Sequence, residues 1–444
     1  MVEESNCECD HQAHTQADST PDYRRVPDIR FRGFTYAWER QRLGGCFEFL
    51  QNNTLSRADL NSEKGVARNV HYGDILIKFS ECLGNDSNKL PFITDEVILT
   101  KYAGSVLREG DVIFADTAED NSAGKCVELL KLPNEPVISG LHTIPVRPRL
   151  PFGSGFLGHY LNAPAYHNQL LPLMQGIKVI SISKTAMQDT QVYFPGISEQ
   201  SVIGSTLNAL DRLVALHQRK LNKLHHIKKA LLEKMFPTPG STIPEIRFQG
   251  FTETWKQQRL GEVGKARSGV GFPDIEQGGT TGIPFFKVSD MNLDSNENEM
   301  TVANNYVTAD KIAAYRWSPI TELPAIFFAK VGAAVMLNRK RLCRFPFLLD
   351  NNTMAYSLSS TKWDANFAKA LFETVDLTSL IQLGALPSYN AEDVESMEIY
   401  LPEVLEQKKI GAYFSALDSL VALHQHKLNK LHCIKKALLE KMFV

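Results

Sequence analysis

A stretch of thirty residues occurs twice in this chain, and it limits the folds that the sequence can adopt. Residues 207–236 are LNALDRLVALHQRKLNKLHHIKKALLEKMF and residues 414–443 are FSALDSLVALHQHKLNKLHCIKKALLEKMF, identical at 25 of 30 positions. Apolar residues recur at spacings of three and four, and neither copy contains glycine or proline. Each copy is therefore predicted to be a helix, about 45 Å long at 1.5 Å per residue.

The apolar residues form one narrow seam along each predicted helix. A single helix with such a seam usually packs on its own domain, but two nearly identical seams are satisfied most simply by each other. We therefore expect the two helices to pack together. The seam is interrupted or flanked by polar residues, namely His217 and Lys228 and their equivalents His424 and Lys435. These residues predict that the two helices pair imperfectly and in a specific register. The seam consists of Leu210, Val214, Leu221, Leu224 and Leu231 in the first helix and of Leu417, Val421, Leu428, Leu431 and Leu438 in the second.

A second repeat precedes each half of the chain. Residues 27–44 and 244–261, here called the RLG motifs after their last three residues, are identical at 12 of 18 positions. The order RLG motif, variable segment, helix thus occurs twice, with a Pro/Gly/Ser joint at 237–244. If a two-fold relates the halves, the helices run antiparallel, and each RLG motif docks near the far end of the other half's helix.

The two variable segments, roughly 45–195 and 262–402, hardly resemble each other. Turn residues followed by apolar runs predict strands at 73–77, 110–115 and 324–329, polar loops at 116–125 and 330–341, and an amphipathic helix at 366–383. The segments close alike, at 192–195 and 399–402. We predict a mixed α/β (α+β) protein with two domains separated by two long antiparallel coiled-coil helices in a pseudo-two-fold repeat. The predicted boundaries are a disordered tail 1–24, a first domain 25–200, a first helix 201–236, a second domain 237–407 and a second helix 408–444.

Composition bounds the class of protein. The chain has 444 residues and a formal net charge of −2, with no apolar run of membrane-spanning length and no signal-peptide pattern, so we expect a cytoplasmic protein. Seven scattered cysteines fit reduced thiols. Charge is uneven: residues 205–236 carry seven Lys or Arg against two Asp or Glu. In the tail, Cys7, Cys9, His11 and His14 could hold a metal, but a disordered acidic tail is the favoured interpretation, and no cofactor is predicted.

Motifs for catalysis are weak. The chain has no Pro-Pro dipeptide, so the Asn/Asp-Pro-Pro-aromatic loop of amino-methyltransferases is absent. Residues 153–158 match GxGxxG, but prolines precede them where a nucleotide site needs a strand. Glu406 and Lys408 have the E-x-K spacing of some nucleases, yet a capping carboxylate and a surface lysine at a helix start explain them better. The sequence indicates a non-catalytic protein.

The duplicated order of motifs resembles the DNA-specificity subunit of type I restriction–modification systems. The resemblance covers nearly everything after Arg25. The residues that carry it are Arg42-Leu43-Gly44, Arg259-Leu260-Gly261, the stretch from Leu386-Pro387-Ser388-Tyr389-Asn390 to Pro402, and the two repeated helices.

The resemblance implies that each variable segment is a target-recognition domain, reading half of a split site in double-stranded DNA through the major groove. It further implies that the helices set the unread spacer, roughly one turn of DNA, and dock two methyltransferase subunits and, through them, the restriction motor-nuclease subunits. Methylation and cleavage would belong to those partners.

Arginine and lysine suit guanine and phosphate, and asparagine suits adenine, so polar and basic groups are the candidates for DNA contact. For residues 339–341 a solvated turn is the alternative, and the acidic loop 116–125 leaves the direct role of its region open. The candidates are Arg57, Arg68, Asn69, His71, Tyr72, Lys78, Lys125 and Arg147 in the first domain and Arg267, Lys287, Ser289, Lys330, Asn338, Arg339, Lys340 and Arg341 in the second.

Two other classes of protein compete with this interpretation. A coiled-coil adaptor whose domains bind proteins would share the helices, but it does not predict basic loops in both domains. A standalone enzyme would require catalytic motifs that the sequence lacks.

Overall fold

The computed structural model describes residues 26–238, 240–358, 362–381 and 386–444. The Cys7, Cys9, His11 and His14 group lies outside these residues. The chain divides into two compact units, Met1–Leu216 with Asn429–Val444, and His217–Leu428. Within the described ranges, no helix combines the length and apolar character needed to cross a bilayer.

The strands of the first unit are β1 Glu39–Arg42, β2 Phe47–Phe49, β3 Ala67–Val70, β4 Cys82–Leu83, β5 Phe92–Ile93, β6 Val112–Ala115, β7 Thr117–Ala118, β8 Cys126–Leu129, β9 Val137–Ser139, β10 Thr143–Pro148, β11 Ile180–Ser181 and β12 Gln191–Phe194. They form a five-stranded sheet in the order β2-β10-β6-β8-β4, a three-stranded sheet β5-β3-β9 and the pairs β1-β12 and β11-β7. Its helices are α1 Leu43–Cys46, α2 Tyr72–Ile77, α3 Glu96–Lys101, α4 Phe156–Asn162, α5 Pro164–His167, α6 Lys184–Gln188 and the beginning of α7, which spans Ile197–Met235.

The strands of the second unit are β13 Lys256–Arg259, β14 Gly264–Ser268, β15 Ile283–Phe286, β16 Tyr306–Val307, β17 Ala325–Ala329, β18 Lys340–Cys343, β19 Leu348–Leu349, β20 Thr353–Leu358 and β21 Glu398–Leu401. They form the sheets β14-β20-β17-β18 and β16-β15-β19 and the pair β13-β21. Its helices are the remainder of α7, then α8 Leu260–Val263, α9 Ala309–Ala314, α10 Ala365–Thr374, α11 Ala391–Ser396 and the first part of α12, which spans Val404–Lys441.

The mixed α/β class is confirmed, and so are two of the three predicted strands. β6 and β17 lie within the segments predicted at 110–115 and 324–329, and every residue of both strands is buried. The two closing segments form β12 and β21, which pair antiparallel with β1 and β13 of the RLG motifs. Each RLG motif is therefore fixed to the end of its own variable segment.

Three local predictions were wrong. Residues 73–77 form helix α2, because the His71 Nδ1 accepts the Gly73 N–H at its start and only one side of the apolar run is buried. The loop predicted at 330–341 holds a 3₁₀ turn at Ala333–Leu337 and enters β18 at Lys340. The helix predicted at 366–383 is shorter, because α10 is capped by Asp364 and ends when Val375 becomes extended.

The long helices extend beyond the repeated sequence. α7 and α12 contain 39 and 38 residues, about 58 Å each at 1.5 Å per residue, so the predicted length of 45 Å was too short. Both helices start ten residues before the repeat, where the sequences differ but remain compatible with a helix. Within these first ten residues, Gly204 of α7 and Gly411 of α12 occupy equivalent positions. A Cβ atom added to either glycine would lie within 2.4 Å of an atom of another residue. Glycine is therefore required at both positions for close packing against the variable segment.

Within each unit the two long helices pack antiparallel, as predicted. In the first unit Ile203 and Leu207, near the start of α7, share a core with Phe443, which lies two residues after the end of α12. In the second unit Met235, near the end of α7, shares a core with Phe414 near the start of α12. Leu221 and Leu428 of the predicted seam are 4% and 3% exposed.

An aromatic triad is repeated in the two units and confirms the predicted docking of the RLG motifs. Trp38 lies edge-on to Phe156 and Phe443 at centroid distances of 6.0 and 6.3 Å. In the second unit Trp255 lies at 5.8 Å from Phe367 and 6.0 Å from Phe236. Each RLG tryptophan thus packs on the last aromatic residue of the other half's helix.

A buried ion pair is repeated beside each triad. Arg30 donates two hydrogen bonds of 2.7 Å to the Glu199 carboxylate, and Arg247 donates bonds of 2.7 and 2.8 Å to Glu406. Both glutamates lie in the first turn of a long helix and are buried. The proposed capping carboxylate of the E-x-K stretch is therefore the partner of an RLG arginine, while Lys408 is exposed as expected.

The seam lysines each bind two carboxylates. Lys435 Nζ lies 2.6 Å from Glu81 and 2.5 Å from Asp211 in the first unit. Lys228 Nζ lies 2.7 Å from both Glu373 and Asp418 in the second. Because each ammonium must meet both carboxylates, one register of the helices is favoured, as the sequence predicted.

Candidate nucleic-acid interface

Four of the predicted residues of the first unit lie together around helix α2. Arg57 donates hydrogen bonds of 2.9 and 2.6 Å to the Asp74 carboxylate, and Lys78 lies 2.9 Å from the same group. Burial alone raises the pKa of Asp74, but the hydrogen bonds from Arg57 and Lys78 hold it below its usual value. The rings of His71 and Tyr72 lie beside them, tilted by 32° with 4.6 Å between centroids. This α2 group of Arg57, His71, Tyr72 and Lys78 carries two cations for one carboxylate.

A cleft of about 780 Å³ opens next to the α2 group. Its lining holds three cations and three carboxylates, namely Arg57, Lys78 and Lys89 and Glu63, Asp74 and Asp86. Side-chain exposures of 48%, 64% and 80% leave the three cations accessible to a phosphate or a base edge. Arg57 and Lys78 are paired with Asp74, and Lys89 is paired with Asp86, so the three cations are exposed but each has a carboxylate partner.

The other predicted residues of the first unit are occupied by internal partners. Arg68 binds Glu135 and the carbonyl oxygens of Asn88 and Leu90, and Arg147 binds Asp111. Asn69 is fully buried, and Lys125 donates to the carbonyl oxygens of Leu76 and Phe79 at 2.9 and 3.3 Å. These four side chains stabilise the domain, so the proposal of DNA contact rests on the α2 group.

The candidates of the second unit form two groups. Lys287 and Lys330 flank Asp350, whose pKa is raised chiefly by burial and lowered slightly by Lys287. Lys287 donates to Gln277 at 3.0 Å, and Ser289 is exposed two residues further on. Arg267 lies apart from this group, with its guanidinium bound to the carbonyl oxygen of Ser318 at 2.8 Å.

The second group is the stretch from Asn338 to Arg341, in which only Arg339 is exposed. Arg339 donates to Asn292 at 2.7 Å, and this bond lies at the surface. Asn338 adopts a left-handed conformation and binds the backbone at Val375 and Leu377. Lys340 and Arg341 donate to the carbonyl oxygens of Val375 and Asn296. Arg339 is thus the side chain of this group that is free to reach outward.

Lys340 should make the stability of the protein depend on pH. Burial lowers the pKa of Lys340 to about 8, against 10.5 for an unperturbed lysine. Between these values the unfolded chain binds more protons, so stability rises with pH. Replacing Lys340 by methionine should raise the free energy of unfolding at pH 7 by on the order of 3 kcal/mol, and the gain should shrink towards pH 10. Urea unfolding at both pH values measures it. The exposed Lys265→Met variant is the control, and an equal gain for Lys340→Met at both pH values would contradict the expectation.

Some accessible groups were missed from the sequence. Lys89 lines the cleft but sits in a polar stretch that carries no motif. His142 has a φ of 55° and packs edge-on to Tyr72 at 5.3 Å, which extends the α2 group by one ring. Its sequence neighbours Leu141 and Thr143 give no sign of this placement. The position of each of these side chains, Lys89 and His142, depends on contacts with segments that are distant in sequence.

Two arrangements that resemble chemical sites have structural explanations. Glu81, His159 and Asp211 have the composition of a metal site, but Lys435 already supplies the cation between the two carboxylates. At the GxGxxG stretch, the Glu128 carboxylate accepts the N–H groups of Gly155 and Gly158 at 2.8 Å each. A phosphate would need the same N–H donors, and these are already bound to the Glu128 carboxylate.

Comparison with known proteins agrees with the repeated architecture. The family described as "Type I restriction modification DNA specificity domain" matches residues 37–226 and 252–432. The chain is 21% identical over 422 residues to the putative type I restriction enzyme MjaX specificity subunit of Methanocaldococcus jannaschii, covering 90% of this chain and 92% of that one. It is 20% identical over 292 residues to the MjaVIII specificity subunit of the same organism, covering 60% of this chain and 64% of that one.

Solved structures show the same fold. The S subunit of a type I restriction–modification system from M. genitalium superposes with a TM-score of 0.61 at 14% identity, covering 94% of this chain and 99% of that one. A chain from a study of complex assembly and conformational transition of the type I R-M system gives a TM-score of 0.50 at 18% identity, with coverage of 90% and 96%. Since the family description matches both halves of the chain, this protein belongs to the family of type I restriction–modification DNA-specificity subunits.

Proposed function

We propose that each unit of this chain recognises one half of a bipartite sequence in double-stranded DNA, and that the chain recruits two methyltransferase subunits and, through them, restriction subunits. Members of the family are specificity subunits, so methylation and cleavage are carried out by the partners. The chain itself supplies the choice of sequence.

The observation that carries this proposal is a constant frame holding two unlike domains. Both units repeat the arginine–glutamate pair, the aromatic triad and the lysine bound to two carboxylates. The segments held by this frame differ in sequence, although their sheets share one strand order apart from the additional edge strand β4 of the first unit. A constant frame with variable inserts suits a protein that presents two different recognition surfaces in the same manner.

The surfaces proposed to contact DNA are the α2 group with its cleft in the first unit and Arg339 with Lys287 and Lys330 in the second. Exposed cations neutralise phosphates, and a guanidinium can form two hydrogen bonds with guanine in the major groove. Ser289 is the nearby exposed hydroxyl. The internally bound Arg68, Asn69, Lys125 and Arg147 would act indirectly, by holding these surfaces in shape.

Single substitutions should affect one half-site at a time. Lys78→Ala removes an accessible cation of the first unit, and Arg339→Ala removes one of the second. Each variant, assembled with the cognate methyltransferase, should bind its own half-site about 5- to 150-fold more weakly, which corresponds to a base contact of about 1–3 kcal/mol. The measurement is the Kd for duplexes carrying both half-sites, or one half-site scrambled, at fixed salt concentration.

Each variant is paired with a control of the same chemistry. Lys178→Ala removes an exposed lysine of the first unit that lies outside the cleft. Lys265→Ala removes an exposed lysine of the second unit that is not among the residues proposed to contact DNA. Both controls should bind like the wild type. If Lys78→Ala and Arg339→Ala weakened both half-sites equally, the assignment of one half-site to each unit would be wrong.

An exposed apolar stripe on the long helices supports the recruitment of partners. Leu213 and Leu216 are 45% and 44% exposed, and their equivalents Leu420 and Leu423 are each 46% exposed. Exposed leucines recurring at matching positions of a repeat are typical of a protein interaction surface. Because the stripe occurs once in each unit, we propose one methyltransferase contact per unit.

The same stripe would suit a coiled-coil adaptor that binds proteins but not DNA. Sequencing of N6-methyladenine in DNA from cells expressing the chain with its methyltransferase distinguishes the two functions. A specificity subunit yields a bipartite methylated motif, whereas an adaptor leaves the methylation pattern unchanged when the chain is deleted.

A further inference from the structure

Two histidines face each other near the midpoints of the long helices, and both belong to the second unit. The Nδ1 atoms of His217 and His424 lie 2.8 Å apart, and the rings are 5.0 Å apart between centroids. The residues are equivalent in the internal repeat. The two other polar interruptions of the seam, Lys228 and Lys435, each have two carboxylate partners, whereas each of these imidazoles faces a second imidazole.

The distance between the nitrogens matches that of two ligands on one metal ion. Zinc binds imidazole nitrogen at about 2.0–2.1 Å. Two such bonds at 90° to 109° place the nitrogens roughly 2.8–3.4 Å apart, by the geometry of those bond lengths. The observed separation lies at the short end of this range. Both side chains are only half-buried, so water can complete the coordination sphere.

The protonation chemistry is compatible with binding. The hydrogen bond requires the proton of one imidazole on Nδ1, whereas a bridging metal requires both protons on Nε2. Binding therefore shifts one ring to its other tautomer without net release of a proton. Partial burial lowers the pKa of His424, and His217, Lys220 and Lys427 lower it further.

We propose that His217 and His424 form a divalent transition-metal site that links the two long helices within the second unit. Imidazole ligands suit Zn²⁺, Ni²⁺ and Cu²⁺ rather than Mg²⁺ or Ca²⁺. Lys220 and Lys427 oppose a cation, so the site is selective for ions that bind imidazole strongly. This site is independent of DNA recognition, and its test does not rely on the proposed function.

The test uses the full chain with Cys7, Cys9, His11 and His14 replaced by serine and glutamine, which removes the competing ligands of the N-terminal region. Zn²⁺ is titrated by calorimetry, and thermal unfolding is followed with and without saturating Zn²⁺. We expect one equivalent bound and a rise of about 2 °C or more in the unfolding midpoint. His217→Gln and His424→Gln should each weaken binding at least tenfold and abolish the rise.

His225→Gln and His426→Gln are matched controls, because both histidines are exposed on the same two helices. These variants should keep the bound equivalent and the Zn²⁺-dependent rise. The unfolding midpoint in the presence of a chelator verifies that each variant is folded. Zn²⁺ binding that is equal in all four variants, or no binding to the parent chain, would show that the pair is only a hydrogen bond and would overturn the proposal.

Discussion

Replacing Glu406 by alanine is expected to lower the free energy of unfolding of the second unit by about 3–5 kcal/mol. The Glu406 carboxylate is 0% exposed and accepts both hydrogen bonds from Arg247, whose side chain is 12% exposed. Removing the carboxylate leaves a guanidinium without a partner at a site that is largely shielded from water. That uncompensated charge, more than the loss of the pair itself, is the reason for the large effect.

Urea unfolding of the full chain, monitored by tryptophan fluorescence, measures this change, because Trp255 lies in the same core. Glu403→Ala is the control, since Glu403 is exposed in the adjacent loop and should change stability by at most about 0.5 kcal/mol. Replacing both Arg247 and Glu406 by leucine removes both charges and should recover most of the loss. A Glu406→Ala variant as stable as Glu403→Ala would mean that the pair is not held away from solvent.

Replacing Leu216 by glutamate should remove one methyltransferase subunit from the assembled complex. Leu216 is 44% exposed, so a charge there is tolerated by the free chain but disrupts an apolar contact. An apolar anchor at the centre of an interface contributes about 2 kcal/mol or more, a weakening of roughly 30-fold. Leu423→Glu should remove the other subunit, and the double variant should remove both. Native mass spectrometry of the co-expressed complex counts the subunits.

Asn222→Glu provides the matched control for this experiment. Asn222 is exposed on another side of α7 and accepts a hydrogen bond from Gln218, which a glutamate can also accept. The control should retain both methyltransferase subunits. Retention of both by Leu216→Glu would exclude the stripe as the docking surface, and loss of both by either single variant would exclude one contact per unit.

The predictions that the structure confirms concern features encoded by local spacing and by repetition. The period of apolar residues in 207–236 depends only on the geometry of a helix, so it predicted α7 without knowledge of any partner. Repetition then predicted the antiparallel packing and the docking of each RLG motif near the far end of the other half's helix, because equivalent surfaces of a two-fold repeat must meet in equivalent ways. The contact of Trp38 with Phe443 is the form that this docking takes in the structure.

The DNA candidates illustrate what local spacing leaves open. Arg57 and Arg68 are both arginines in a polar context, yet one faces the cleft and the other lies over the Phe92 ring at 4.0 Å. The difference depends on Glu135, which is 67 residues from Arg68 in sequence. The burial of Lys340 also depends on a distant segment, because the Val375 carbonyl oxygen that accepts its hydrogen bond lies at the end of α10, 35 residues away in sequence.

The sequence by itself determined the family, the duplicated frame, the long helices and the register-sensitive seam, because periodicity and repetition are written in the order of residues. Only the tertiary structure decided which basic side chains face outward, that residues 72–77 form a helix, and that His217 meets His424. Whether a polar side chain is exposed, paired or buried depends on groups brought to it by the folded chain, and no local pattern in the sequence encodes those distances.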